Sequence, residues 1–199
     1  KHEQQIRQLV KGLAEVEVRM FEADVEECVQ RDANRTKPVG AKVIRDMYRQ
    51  FLAPAGRAYA PGDGLPAAVL CDLDGTLALL NGRNPYDAAT CEQDLLNPAV
   101  AGIIRALPAD TCLVLVSGRE DRHRPETERW LAAHGIAYDR LHMRATGDTR
   151  RDALIKEEIF EAHIRPNYRV HFVLDDRDQV VAMWRALGLT CLQVAEGDF

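Results

Sequence analysis

Ala67-Ala-Val-Leu-Cys-Asp-Leu-Asp-Gly-Thr76 is the stretch on which the reading of the fold turns. Its first five residues are small or apolar, too short a run for a typical helix, and Val69 favours an extended chain. Between Pro66 and Gly75 the run reads as a strand buried on both faces, as in a parallel sheet. It ends in two carboxylates, Asp72 and Asp74, and the Gly75-Thr76 turn follows. Chemistry in open parallel sheets sits just beyond the carboxyl ends of the strands. Two acids there repel each other unless a cation lies between them. A hard divalent ion such as Mg2+ takes oxygen ligands and suits that place. The bland alternative is a solvated strand end, the usual explanation of an isolated Asp-x-Asp.

Working outward, the 199 residues suffice for one good core and a small second unit. With 46% hydrophobic and 29% charged residues the composition is that of a globular protein, and no apolar run is long enough to span a membrane. The chain opens on Lys, with no visible signal peptide, and so reads as a fragment or a processed piece. Cys28, Cys71, Cys91, Cys112 and Cys191 are odd in number and widely spaced, which suggests reduced thiols in a cytoplasmic protein. A net charge of −5 argues against a broad, nonspecific nucleic-acid footprint but leaves room for a local basic groove.

Residues 1–52 read as one piece of an α/β unit. Ile6, Leu9, Val10 and Leu13 recur at helical spacing, Val16, Val18 and Met20 alternate as in a strand, and Asp24 and Glu27 cap a helix running towards Ala33. A further helix follows Pro38. No G-x-x-x-x-G-K-[ST] phosphate cradle is present. Residues 53–66, rich in Pro, Gly and Ala, read as a linker. Beyond the opening stretch, helices are expected after Asn97-Pro98, over about 125–134, around Lys156 and over about 178–187. Strands are expected over 112–117, 141–143, 168–174 and 190–194. Strands and helices that alternate in this way imply a doubly wound, three-layer parallel α/β domain over 67–199.

Asp72/Asp74, Ser117, Lys156 and Asp175/Asp176 would then converge on one edge of the sheet. Each is weak alone, because a Ser after a strand is usually a cap and a Lys on a helix is usually solvated. Asp72-Leu-Asp-Gly-Thr-Leu77 resembles motif one of the haloacid dehalogenase-like phosphotransferases, and the other three elements fit that superfamily's remaining motifs in order. The resemblance implies that Asp72 attacks phosphorus and that Asp74 is the general acid and base. It also implies Mg2+ held by Asp72, the Asp74 carbonyl and the Asp175/Asp176 pair, with Asp176 the direct ligand. Ser117 would hydrogen-bond the phosphoryl group, with Thr76 and Gly118 beside it, and Lys156 would offset its charge.

A narrower resemblance covers residues 67–199. Asn81-Gly-Arg83-x-Pro-Tyr-Asp87, Ser117-Gly-Arg119, Gly147-Asp-Thr-Arg-x-Asp152-x-x-x-Lys156, Asp175-Asp-Arg177 and Gly197-Asp-Phe199 are similar to the 3′-phosphatase domain of phage-type polynucleotide kinase/3′-phosphatases. That family removes 3′-phosphates from broken nucleic-acid ends, DNA or RNA, and by matching position Arg83, Arg119 and Asp152 join the catalytic set. Residues 1–52 resemble the C-terminal end of the same family's 5′-kinase domain, with Arg31 and Arg35 at its phosphate-contacting lid positions. Without a phosphate cradle no 5′-kinase activity is expected from this chain. The resemblance implies a cytoplasmic protein (the host's, if phage-encoded), no membrane partner, and leaves a homo-oligomer possible. The stretch from Leu77 to Pro98 is too short for the usual cap domain, so the site should stay open, which suits a polymer end. The competing readings are a small-metabolite phosphatase of the same superfamily and a module that grips phosphorylated ends without turnover.

Overall fold

The computed structural model describes residues 7–11, 14, 16, 25–41, 43–44, 47–48, 59–84 and 87–197. The chain divides into two compact units, Lys1–Ala53 and Pro54–Phe199. In the first, α1 (Val25–Ala33) forms where the cap pattern places it. The strand expected over 16–20 lies, Val16 apart, outside the described residues. Buried Asp32 accepts the backbone N–H groups of Gly40 (2.8 Å) and Val39 (3.2 Å), closing the turn after α1.

In the second unit β1 (Ala67–Cys71) is the centre of a five-stranded, all-parallel sheet. Its neighbours are β4 (Thr111–Glu120) and β6 (Arg169–Asp175), and β5 (Arg140–Arg144) and β7 (Cys191–Gln193) form the edges. The order β5-β4-β1-β6-β7 reverses direction at β1, so a crevice opens at its carboxyl end. Successive residues along the strands face opposite layers. Leu70, Val114 and Val173 pack with α4 (Asp152–Ile159) and α5 (Asp178–Ala186), through residues such as Ile159, Val180 and Trp184. Cys71, Leu115 and Leu174 pack with α2 (Pro98–Arg105) and α3 (Arg124–Ala133), through Val100, Ile104, Trp130 and Leu131. This is the expected doubly wound, three-layer arrangement.

Two local features depart from the simple pattern. β4 continues three residues past Ser117, because Glu120 pairs with Arg144 of β5 after a register shift between Ser117 and Glu120. The stretch read as a linker is packed at its distal end. The Tyr59 hydroxyl donates to the Tyr168 carbonyl and accepts from Val170 N–H, while its ring meets Phe160 edge-on at 5.5 Å. Between β1 and α2 the described residues hold only the antiparallel pair β2 (Ala78–Leu79) and β3 (Leu95–Leu96) and one 3-10 turn, Cys91–Gln93. The crevice therefore stays uncapped by that segment.

Candidate active site

Asp72 leaves β1 at the crevice, its backbone N–H held by the Leu174 carbonyl of β6. Its Oδ1 lies 2.8 Å from Lys156 Nζ, which α4 brings in from the layer below. The same ammonium sits 3.0 Å from Asp175 Oδ2 and 3.5 Å from Asp152 Oδ2. Three carboxylates thus share one cation, and all four groups are buried. Burial pushes the Asp72 pKa well up; Lys156 opposes that shift, and Asp175, Asp152 and Asp176 add to it. Burial alone would lower the Lys156 pKa, but Asp152, Asp175 and Asp72 outweigh it and keep the ammonium charged. Asp176 is pushed up by burial and by Asp175, against the hydrogen bond from Thr76.

Among the described residues, Asp72, Asp175 and Asp176 form the group whose carboxylate oxygens lie within 4.8 Å of one another. Buried, oxygen-only and short of positive charge, this set fits a hard divalent cation such as Mg2+. The two acids at the end of β6 differ in their engagement. Asp175 Oδ2 already accepts from Lys156 and from Trp184 Nε1 (3.1 Å), whereas Asp176 uses Oδ1 for Thr76 and lines the cleft. Gly75 permits the approach of Asp176: a Cβ at its φ of 85° would stand 2.2 Å from Asp176 Oδ2.

Asp74, two residues on, lies in opposite surroundings. Arg119 holds it from the end of β4, Nε to Oδ2 at 2.8 Å and Nη2 to Oδ1 at 2.9 Å, and Arg83 Nη2 pairs with Oδ1 as well. Burial would raise its pKa, but the charges and hydrogen bonds of Arg119 and Arg83 hold it below the ordinary carboxylate value. Both arginines are braced from behind by Asp94. Its carboxylate takes Arg83 through Nε (2.8 Å) and Nη2 (2.7 Å), and Arg119 Nη2 at 3.1 Å. Trp130 Nε1 fixes the Asp94 carbonyl at 2.8 Å.

Ser117 is fully buried, and its Oγ accepts the Arg119 backbone N–H at 3.1 Å, which leaves its own proton to donate. At Gly118 a Cβ would stand 2.3 Å from Asp152 Oδ1, so only glycine lets α4 approach the strand end. Arg144 closes that corner. It donates to the carbonyls of Gly118 (2.7 Å), Asp148 (3.0 Å) and Arg150 (2.6 Å) and to Asp152 Oδ1 (3.2 Å). Above these groups opens a cleft of about 490 Å3 with Asp72, Asp74, Arg119 and Asp176 in its wall and Arg122, His123, Arg150, Arg151 and Arg177 around it. The structure therefore gathers Asp72, Asp74, Thr76, Arg83, Ser117, Gly118, Arg119, Asp152, Lys156, Asp175 and Asp176. Arg31 and Arg35 belong to the other unit, where they pair with Glu27 and Asp32. Asp94, Arg144 and Trp184 carry no sequence signal, because each acts through a partner distant in the chain.

Comparisons with known proteins agree with this fold. Residues 66–199 match the phosphatase domain of polynucleotide kinase PNKP. The chain belongs to this family. It shares 35% identity over 177 residues with a protein of Autographa californica nuclear polyhedrosis virus named for bifunctional polynucleotide kinase/RNA ligase activity, covering 85% of this chain. The chain spans 26% of that relative's length. Two solved structures of the Pnkp1/Rnl/Hen1 complex, one titled an RNA repair complex, superpose with TM-scores of 0.70 and 0.71 at 41% and 43% identity. Each covers 98% of this chain, which corresponds to 70% and 68% of theirs. The parallel sheet of residues 66–199 is thus the fold of a polynucleotide kinase phosphatase domain.

Proposed function

We propose that residues 66–199 are a Mg2+-dependent polynucleotide 3′-phosphatase working through a phospho-Asp72 intermediate. The observation that carries the reading is the opposite setting of two carboxylates on one turn. Asp72 is aimed by a buried lysine, and Asp74 is gripped by two arginines, beside a cleft open to a polymer end. Bound by Asp72, Asp176 and the Asp74 carbonyl, with Asp175 behind, Mg2+ would neutralise the phosphoryl oxygens. Ser117 and the two arginines would hold the remaining oxygens.

An Asp72 oxygen attacks phosphorus, and the bond from phosphorus to the 3′ oxygen breaks. Asp74 protonates that leaving oxygen, giving a 3′-hydroxyl. In the resting site Asp74 is ionised, so the proton must be gained when substrate binds. A phosphate that recruits Arg83 and Arg119 removes the charges holding Asp74 down, and burial then raises its pKa. Asp74, once deprotonated, takes a proton from the water that attacks phospho-Asp72, and inorganic phosphate leaves. Lys156 opposes the burial that raises the Asp72 pKa and orients the free carboxylate for attack.

The names of the relatives, a polynucleotide kinase/RNA ligase and an RNA repair complex, support nucleic-acid end repair as the setting. Phosphate release from matched 3′- and 5′-phosphorylated oligonucleotides and from mononucleotides tests the reading. Release confined to the 3′ end is expected; equal rates at both ends, or faster turnover of the mononucleotides, would overturn it.

A further inference from the structure

We infer that Glu120 reads the sugar of the terminal nucleotide by accepting a hydrogen bond from a ribose 2′-hydroxyl, so that the cleft favours an RNA 3′ end. The inference rests on the 3′-phosphatase reading and sharpens its substrate class. Glu120 is the last residue of β4, next to Arg119, and it lines the same cleft as Asp72. Among the described residues, its Oε2 is the buried side-chain oxygen that has no hydrogen-bond partner. Arg122 Nε stands 3.0 Å from that oxygen, but this is an ion-pair contact without hydrogen-bond geometry, and the guanidinium is 59% exposed. The same Nε donates instead to His123 Nε2 at 3.2 Å.

The other acids of the cleft accept side-chain hydrogen bonds or belong to the cation site, whereas Glu120 Oε2 has the Arg122 ion pair. Asp74 has Arg83 and Arg119, Asp148 has Arg150, Asp152 has Arg144 and Lys156, and Asp72 and Asp176 belong to the cation site. An ionised carboxylate only accepts, and so do the phosphates of the substrate. Glu120 would repel a phosphate seated on it, so its neighbour in the complex must be a donor. On a 3′-phosphorylated end the nearest donor to the phosphate is the hydroxyl of the adjacent sugar carbon. Deoxyribose has none, which is the general means by which proteins separate RNA from DNA. From Ser117 through Arg119 to Glu120 the side chains pass from buried to partly exposed, the order a sugar outside its phosphate requires.

The test uses the whole chain and two substrates, a 3′-phosphorylated oligoribonucleotide and the same oligonucleotide with a single 2′-deoxy residue at its 3′ terminus. For wild type, kcat/KM should favour the ribo end by at least about tenfold, the worth of one hydrogen bond to a charged group. Glu120→Ala should bring the ratio close to one. Glu120→Gln, whose amide oxygen still accepts, should leave it between the two. The ratio does not depend on how much of a variant folds, and Glu120→Gln keeps the test open if the alanine variant is insoluble. A wild-type ratio near one, or a ratio unchanged in both variants, overturns the inference. An effect of Glu120→Ala that follows the terminal base, cytosine against uracil, would also overturn it and assign Glu120 to a base amine. If wild type releases phosphate from neither substrate, it is the 3′-phosphatase reading that fails.

Discussion

The two halves of the site, one around Asp72 and one around Asp74, begin two residues apart and are built on opposite electrostatic plans. Around Asp72 buried carboxylates outnumber their cation, and burial drives the Asp72 and Asp176 pKa values up. Around Asp74 two guanidinium groups meet two carboxylates in a closed hydrogen-bond network, and Asp74 is driven down. The first half is strained in the resting protein and would be relieved by an added cation. The second is already neutral and can exchange one anion, Asp74, for another, the phosphate. Buried charges of one sign cost stability, whereas matched and fully bonded ones largely offset their desolvation.

The comparison can be broken most directly at the nucleophile. Asp72→Asn should lower phosphate release by about four orders of magnitude or more, since an amide does not attack phosphorus. Phosphate release from a 3′-phosphorylated oligonucleotide, with acid-quench capture of phospho-protein, reads this; near-normal turnover would refute covalent catalysis. On the other side, Asp94→Asn removes the charge bracing both arginines. Turnover should fall by roughly 100-fold, and urea unfolding should show a loss of about 3–5 kcal/mol, typical of a broken buried pair. Unchanged stability would mean that the arginine half is not held together as described.

A finer contrast lies in thermal stability at neutral pH with EDTA. Asp72 has a raised pKa, so its ionised form costs stability, and that cost fades as pH falls from the raised value toward the ordinary one. Asp74 has a lowered pKa, so its contribution is complete above the ordinary carboxylate pKa and is lost as pH falls through the lowered one. Asp72→Asn should therefore raise Tm and Asp74→Asn should lower it, by roughly 2–4 °C for each kcal/mol. Added Mg2+ should stabilise wild type and not Asp72→Asn. Shifts of the same sign for the two variants in EDTA would remove the distinction between the halves. The smallest effect is expected at Trp184→Phe, which deletes one hydrogen bond to Asp175 and trims a fully buried ring. A loss of about 1–2 kcal/mol with a slightly weakened Mg2+ affinity, read by calorimetry, fits a supporting role.

How much of this was legible beforehand varied with the kind of interaction. β1, with the acids beyond its end, was readable because a short apolar run closed by Asp-x-Asp-Gly-Thr is local, and the bounds expected from sequence, 67–71, match the strand. The helices around α2 to α5 followed from caps and periodicity, each within a few residues. Arg83, Arg119 and Asp152 entered the catalytic set only through family resemblance, since nothing in their own neighbourhoods separates them from surface charge. Asp94 did not enter at all.

The sequence by itself determined the layer architecture, the place of the crevice and the identity of the acids at the ends of β1 and β6. Hydrophobic periodicity and strand-end chemistry depend on residues adjacent in the chain, so one sequence suffices to read them. Only the tertiary structure decided that Lys156 serves Asp72, Asp175 and Asp152 together, that Asp94 braces both arginines, and that Glu120 lines the cleft with an Oε2 that has the Arg122 ion pair but no hydrogen bond among the described residues. The sign of each pKa shift was decided there too. Burial and the count of opposite charges within a few ångströms are properties of the packed chain, and they set Asp72 and Asp74 apart although the sequence presents them as a matched pair.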